Sequence, residues 1–433
     1  MPAKTIIIFF LLLSAFHAFP QAIETGDALE GKIIKEIRVS PLKYTKREMV
    51  IRALNSKAGE PFRKKNIRED LERLDRLGFF RAIHISAVEE DNEVVLLVEV
   101  HETFPYLPTV SLDYNQENGF SIGPGLKSTN LFHTNLSLSS GARFGGETQL
   151  EVLTGNPWLP DGNWVYKVHF LYMDRWNSFN AFNEDSVDIN FFLGRTIGGS
   201  FTAGGRGAFF TLRSDTDGIT LSDTNRDNIP YAGAFFVFDT RDLWSNPHHG
   251  WRNEVDVDKA GGALGGDADF WETNIDLRRY QPIAERHTLA LFSLTTLRTG
   301  RIGVDIPEYL EFYIGGTNTV RGWNLGSRHG KNQMLNTIEY HYMLMKPRPW
   351  KVSKIAGYLG LQLAAFGDFG IAWTEGREFA ASNFIDGYGV GLRLVIPWVE
   401  LLRFDVGFGE PGTGLHFQFG IYPKADKQRQ RVR

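Results

Sequence analysis

The sequence predicts a mainly β protein: a transmembrane antiparallel β-barrel of about 16 strands preceded by one small β-α-α-β-β domain. Three observations point there. From Phe104 onward, apolar and polar residues alternate, with charges in rows on one face and aromatics dense on the other. Residues 31–103 instead place helix-spaced apolar residues between strand-like segments. The chain opens with a short apolar run behind a lysine.

The 433 residues suffice for two or three ordinary domains, or for one small domain and one large β structure. Aromatics at 13% together with 45 glycines suit strands and turns better than helix bundles. A net charge of -4 gives no case for nucleic acid, which requires a basic patch. Without cysteine there is neither a disulfide framework nor a thiolate metal site, and compartment is left open.

The segment Thr5–Phe16, TIIIFFLLLSAF, follows Lys4 and has the length of a signal-peptide apolar region. It is shorter than the roughly 20 residues a spanning helix needs. Cleavage is expected between Ala18 and Ala22, so residues 1–22 are expected to be a signal peptide; a buried N-terminal strand is the alternative. With no cysteine near that point, no lipoprotein anchor is expected.

Residues 31–103 read in order as strand, two helices and two strands. Ile37 and Val39 are apolar among charges in KIIKEIRVS. Thr45 with Glu48 three residues on reads as a capping box, followed by the stripe Met49, Val50, Ala53 and Leu54. A second helix over 63–77 carries Ile67, Leu71 and Leu74, and Gly78 stops it. Two strands follow, joined by a tight turn at Asp91-Asn92. This order resembles a POTRA domain, through Ile37-x-Val39, Thr45, Gly59, the run from Leu71 through Leu74, Gly78 and Phe79 to Phe80, and a last strand ending at Glu102. The resemblance implies a periplasmic domain that receives extended polypeptide at a sheet edge.

In residues 104–423 helical periodicity disappears. WRNEVDVDK sets Arg252, Glu254, Asp256 and Asp258 against Trp251, Val255 and Val257. SVDINFFLG sets Asp188 and Asn190 against Val187, Ile189, Phe191 and Leu193. A secreted sandwich also alternates. Charge rows opposite an aromatic-rich face, strands ending in Trp or Tyr, and the N-terminal apolar run favour a barrel that is apolar outside and polar inside. Backbone groups in lipid must be paired, which requires closure. Residues 424–433 are a polar C-terminal tail.

No catalytic set emerges, and an enzyme is not expected. The Gly-rich GGALGGD has no following Lys-Ser/Thr, so it is no phosphate loop. His248-His249 lie in a turn, with poor spacing for a metal, and no nucleophile elbow is present. No cofactor or metal is expected.

Between two barrel strands lies GGTNTVRGWNLGSRHG, from Gly315 to Gly330. It reads as a phosphate loop, an exposed turn or a plug. An Arg inside a barrel needs a carboxylate, which its planar fork meets bidentately. Phe366 and Asp368 share the parity of Gln362 on the polar face, so both are expected to point inward. Gly322 would allow close backbone approach and Trp323 would pack on the wall.

Val320-Arg321-Gly322-Trp323 resembles the V-R-G-F/Y motif of the BamA/TamA-like outer-membrane assembly superfamily (the bacterial surface antigen family). Phe366-Gly367-Asp368-Phe369-Gly370 resembles its F-x-D-x-G strand. The likeness implies that the loop folds into the lumen and that Arg321 pairs with Asp368. NLFHTN, DTRDLWSNPHHGW, TIEYHYML and GYGVGLRLVIPW…LLRFDVGFG extend it, with His133 where Gly and His341 where Arg is usual. One POTRA unit fits before residue 104, whereas the best-known assembly factors carry several and two-partner secretion transporters two.

The resemblance implies an outer-membrane barrel that inserts or translocates polypeptide, with unfolded or exported polypeptide clients, outer-membrane lipid and accessory periplasmic proteins as partners, and no nucleic acid. A channel, porin-like exporter or lipid-handling barrel is the alternative.

Overall fold

The computed structural model describes residues 29–420 apart from 77–79, 103–105, 116, 133–135, 157–163, 199, 243–245, 353–354, 396–401 and 411–415. The expected signal peptide, Gly78, Phe79 and the tail 424–433 lie outside the described residues.

The first unit runs β1 (Ile34–Val39), α1 (Arg47–Ala53), α2 (Lys64–Arg76), β2 (Phe80–Glu90) and β3 (Glu93–Glu102). Its sheet has the order β1-β3-β2, with β1 parallel and β2 antiparallel to β3. Asp91 and Asn92 both have positive φ, as a two-residue hairpin turn between twisted strands demands. Ile34, Ile37, Val50, Ile67, Leu71 and Leu74 are buried in one core with Phe80 and the inner face of β3. Val39 packs on it, half-buried. Each such side chain contributes about 1.5–3 kcal/mol by leaving water.

The capping box does not form. Lys46 occupies the N-cap of α1 and makes no side-chain cap bond. Thr45 is buried one residue earlier, where its hydroxyl faces the barrel. At the other end of α1, Lys57 Nζ donates to the carbonyls of Leu54 at 2.6 Å and Ile51 at 3.2 Å, satisfying groups the helix leaves open.

The second unit is a 16-stranded sheet in chain order. Its strands are β4 (Tyr106–Asn115), β5 (Gly119–Leu131), β6 (Leu136–Gly145), β7 (Thr148–Asn156), β8 (Trp164–Asn177), β9 (Phe182–Ile197), β10 (Phe201–Ser214) and β11 (Arg226–Asp239). Then come β12 (Gly250–Gly261), β13 (Asp269–Ala284), β14 (His287–Arg298), β17 (Asn332–Val352), β18 (Ile355–Trp373), β19 (Ile385–Val395), β20 (Leu402–Phe408) and β21 (His416–Gly420). A short hairpin, β15 (Phe312–Ile314) and β16 (Arg328–Gly330), interrupts the series between β14 and β17.

Every neighbouring pair in the large sheet is antiparallel, and the alternation read from sequence sets the two faces. Asp188, Asn190, Asp256, Asp258, Glu272 and Asp276 are buried inside, while Ile189, Phe191, Trp251, Trp271 and Leu277 are exposed outside. Inward charges meet inward charges. Arg206 Nη1 lies 2.6 Å from Asp258, Arg298 Nε 2.7 Å from Glu272, and Arg278 grips Asp276 through two bonds. The ends of the sheet come together, with Cα atoms of β21 within 8 Å of β4. Among the described residues no ladder of hydrogen bonds joins these two strands.

The lumen is not polar throughout, contrary to the simple alternation rule. At the end away from the first unit, Phe182, Phe210, Leu212, Ile229, Ala260 and Phe270 form an apolar cluster. Ile306, Tyr309 and Leu310, from the β14–β15 connection, complete it as a lid. Buried Asp227 accepts bonds from Tyr309 Oη at 2.7 Å and from the backbone N–H groups of Leu221 and Ser222.

The two units touch. Asn130, at the end of β5, is buried and donates from Nδ2 to the Tyr44 carbonyl at 2.7 Å and to Thr45 Oγ1 at 3.3 Å. Glu102 accepts from the N–H groups of Lys43 and Tyr44, holding the same turn from the other side.

Candidate functional site

The connection between β14 and β17 turns back into the barrel. A local turn shapes it: Gly315 N–H donates to Thr319 Oγ1 at 2.7 Å, and Gly316 N–H to the Val320 carbonyl at 3.1 Å. Val320 then enters an apolar cluster with Leu294, Ile314, Leu335, Ala372 and Ile385, fully buried.

Arg321 has no exposed surface. Its Nε and Nη2 reach Asp368 Oδ2 and Oδ1 at 2.8 and 3.0 Å, and its own backbone N–H adds a bond to Oδ2 at 3.1 Å. Nη2 also meets Glu339 at 2.9 Å and Nη1 meets Asp405 at 3.2 Å. The guanidinium carbon lies 3.4 Å from the centroid of the Phe366 ring, so the face of the fork rests on an aromatic while its edge is filled by carboxylates.

The carboxylates are shared further. Arg393 bonds Glu339 at 2.7 Å and also Asp405, and Arg403 lies 3.5 Å from Asp405. His341 Nε2 is 2.9 Å from Glu339, and Thr337 donates to Asp368 at 2.8 Å. Three guanidinium groups (Arg321, Arg393, Arg403) thus face three carboxylates (Glu339, Asp368, Asp405), so the buried ions compensate one another. Removing one partner of such a set costs about 3–5 kcal/mol, because a charge is left buried without compensation.

Backbone approach is as close as the sequence requires. Gly322 has φ +91°, and a Cβ there would lie 2.4 Å from the carbonyl carbon of Phe408 on β20. On β19, a Cβ at Gly387 would lie 1.9 Å from the Arg321 carbonyl oxygen. Gly370 leaves room for Val320, whose Cγ2 would sit 3.1 Å from a Cβ at that position. Trp323 is half-buried against the wall, and its indole N–H donates to the Asp386 carbonyl at 2.6 Å. Glu410 N–H donates to the Gly322 carbonyl at 2.9 Å, and the Glu410 carboxylate accepts from Asn324.

All seven residues singled out from the sequence, Val320 to Trp323 with Phe366, Asp368 and Gly370, meet at one place on the inner wall of β17–β20. Sequence reasoning assigned one carboxylate to Arg321 and missed Glu339, Asp405, Arg393 and Arg403. The signals were present, since T-x-E, G-x-G-L-R and R-x-D supply those residues on inward parities of β17, β19 and β20. His341, where the motif has Arg, still bonds Glu339. Among the described residues no group of side chains is placed to hold a metal ion.

Residues 130–421 match the Omp85 superfamily domain. The chain belongs to the Omp85 superfamily. Residues 32–103 match the surface antigen variable number repeat, the POTRA domain. An outer membrane protein assembly factor BamA from Nitratidesulfovibrio vulgaris (strain Hildenborough) is 25% identical over 418 residues, covering 90% of this chain and 51% of that protein. The chain therefore spans about half the length of this curated relative. Among solved structures, BamA from Haemophilus ducreyi lacking POTRA domains 1–3 has a TM-score of 0.62 at 14% identity, covering 90% of this chain and 84% of that one. CdiB from Escherichia coli has a TM-score of 0.62 at 12% identity, covering 90% and 76%. These likenesses establish the shared fold. As an Omp85 protein the chain resides in the outer membrane with its POTRA domain in the periplasm. The end of β5, where Asn130 holds Tyr44, thus marks the periplasmic end of the barrel, and the lid over Asp227 the extracellular end.

Proposed function

We propose that this Omp85 barrel inserts polypeptides into, or translocates them across, the outer membrane, with the POTRA domain receiving the client. The observation that carries the reading is where the brace lies in the wall. The compensated Arg321 cluster ties the loop to β17–β20, next to the place where the two ends of the sheet, β21 and β4, come together. A wall braced beside the meeting point of its first and last strands keeps β17–β20 in place if those two strands part. A strand edge freed there is a template for an added strand.

A steady channel is the second reading, and the charge rows of the lumen favour it. The apolar lid around Tyr309 opposes it, because it packs buried apolar side chains at the extracellular end. No catalytic group is used in either reading. The test is reconstitution into liposomes with an unfolded barrel client. The chain is expected to accelerate client insertion over empty liposomes, and deletion of residues 31–103 to abolish the gain. Equal insertion with and without those residues would remove the POTRA domain from the reading.

A further inference from the structure

The outer wall carries an open groove of about 1100 Å³ across β17–β20. It lies where Ala365 is small and where the longer Leu363, Val390 and Phe404 stand around it. These longer residues belong to the outward rows and are exposed toward the membrane. Toward the periplasmic end the groove acquires a polar rim. There the His287 Nδ1 and Tyr340 Oη atoms are hydrogen-bonded, and the Tyr342 ring centroid lies 4.9 Å from that of His287. Tyrosines of this kind suit the boundary between hydrocarbon and headgroups.

A second observation comes from the topology. Pairing of β17 with β14 ends at Tyr342↔His287, the first residue of β14. From Arg348↔Leu359 to Val352↔Ile355 the β17–β18 pair continues with no strand on its β17 side among the described residues. Pro347 and Pro349 lie here; lacking N–H groups they fit only a strand free on one side. This ribbon projects on the periplasmic side and is basic. Lys346 and Arg348 are exposed on it, Lys351 pairs with Ala356, and no Asp or Glu occurs between Tyr340 and Gly367. Arg286 in the adjoining β13–β14 turn adds a fourth cation. Among the described residues Glu285 answers them, 2.7 Å from Lys346 Nζ and largely exposed.

The geometry points to a seat for one anionic phospholipid of the periplasmic leaflet, of the phosphatidylglycerol class. Its acyl chain lies in the groove past Ala365, its glycerol region meets His287 and Tyr340, and its phosphate lies among Arg286, Lys346 and Arg348. Neither half alone selects this ligand. An apolar groove in a membrane accepts any hydrocarbon, and a basic ribbon accepts any anion. Joined end to end at the headgroup level, they match one amphiphile with a negative head. The inference rests on the membrane placement of the barrel and not on client handling.

The experiment is native mass spectrometry of the delipidated full-length protein, offered phosphatidylglycerol or phosphatidylethanolamine in micelles. Client insertion is not the readout, so failure here leaves the proposed function untouched. The parent is expected to retain one phosphatidylglycerol in preference to phosphatidylethanolamine. Lys346→Gln with Arg348→Gln should lower phosphatidylglycerol retention roughly tenfold and leave phosphatidylethanolamine unchanged. Ala365→Phe, which fills the groove from the lipid side, should lower retention of both, with folding checked by heat-dependent migration in gels. Equal retention of the two lipids by the parent overturns the seat. So does loss in the charge variant with none in Ala365→Phe, which would mean headgroup adsorption without a bound chain.

Discussion

Arg321 and Asp368 are joined by two side-chain bonds of 2.8 and 3.0 Å and by the Arg321 backbone N–H, with neither side chain exposed. The pair links a loop that enters from the extracellular end to the middle of β18. Arg321→Ala leaves Asp368, Glu339 and Asp405 facing only Arg393 and Arg403, at a cost of about 3–5 kcal/mol. Arg321→Glu should cost more. Adding Asp368→Arg should recover only part, because Glu339 and Asp405 would still face the new carboxylate. Urea midpoints of the barrel read this; full recovery would mean that Glu339 and Asp405 do not take part.

The Asn130 amide ties the POTRA domain to the barrel. Asn130 Nδ2 is buried between the Tyr44 carbonyl and the Thr45 hydroxyl. Asn130→Ala should broaden the distance distribution between spin labels placed one on the POTRA domain and one on the barrel, with little change in barrel stability. The chain has no cysteine, so both labelling sites are unique. An unchanged distribution would show that the linker alone sets the orientation.

The extracellular lid depends on Tyr309, which fills the apolar cluster and bonds Asp227. Tyr309→Ala removes a buried ring worth about 3–5 kcal/mol to local packing and leaves the strands intact. In planar bilayers the parent should conduct rarely and the variant should show frequent steps. Equal conductance in the two would place the barrier elsewhere.

A pH effect is expected in the POTRA domain. Burial pushes the Asp70 carboxyl above its ordinary value, partly offset by the N–H groups of Asn55 and Ser56 that it accepts. A carboxyl raised on folding binds its proton more tightly in the folded state, so its contribution improves as pH falls from above the folded value to below 3.8. Glu90 and Asp91, held down by Arg38 and Lys35, act in the opposite sense. The parent should therefore gain on Asp70→Asn across that acid window, read as POTRA amide exchange compared at matched pH. A constant difference between parent and variant would contradict the assignment.

Much of this was legible in the sequence because period and parity are local properties. Alternation placed Asp256 and Asp258 inside and Trp251 outside, and the helix-to-strand change marked the POTRA boundary. The Arg321–Asp368 pair was legible through the likeness of Val320–Trp323 and Phe366–Gly370 to the V-R-G-F/Y and F-x-D-x-G motifs; the inward parity of Asp368 agrees with it, but parity alone left an exposed loop equally open. What was not legible depends on which strands become neighbours. Glu339, Arg393 and Asp405 converge on one point only after β17, β19 and β20 take their register. The lid was hidden for the same reason, since Phe182, Phe210 and Phe270 occupy inward positions that parity alone marks as polar. Thr45 has the spacing of a cap, but Asn130 lies 85 residues away and engages it instead.

The role of the brace in insertion is tested most directly by comparing the parent with Arg321→Ala in liposomes that receive an unfolded barrel client, under conditions where both proteins remain folded by heat-dependent migration. The parent is expected to accelerate insertion, and the variant, with its wall unbraced, to lose most of that gain. Insertion at the parental rate by a folded Arg321→Ala barrel would contradict that role.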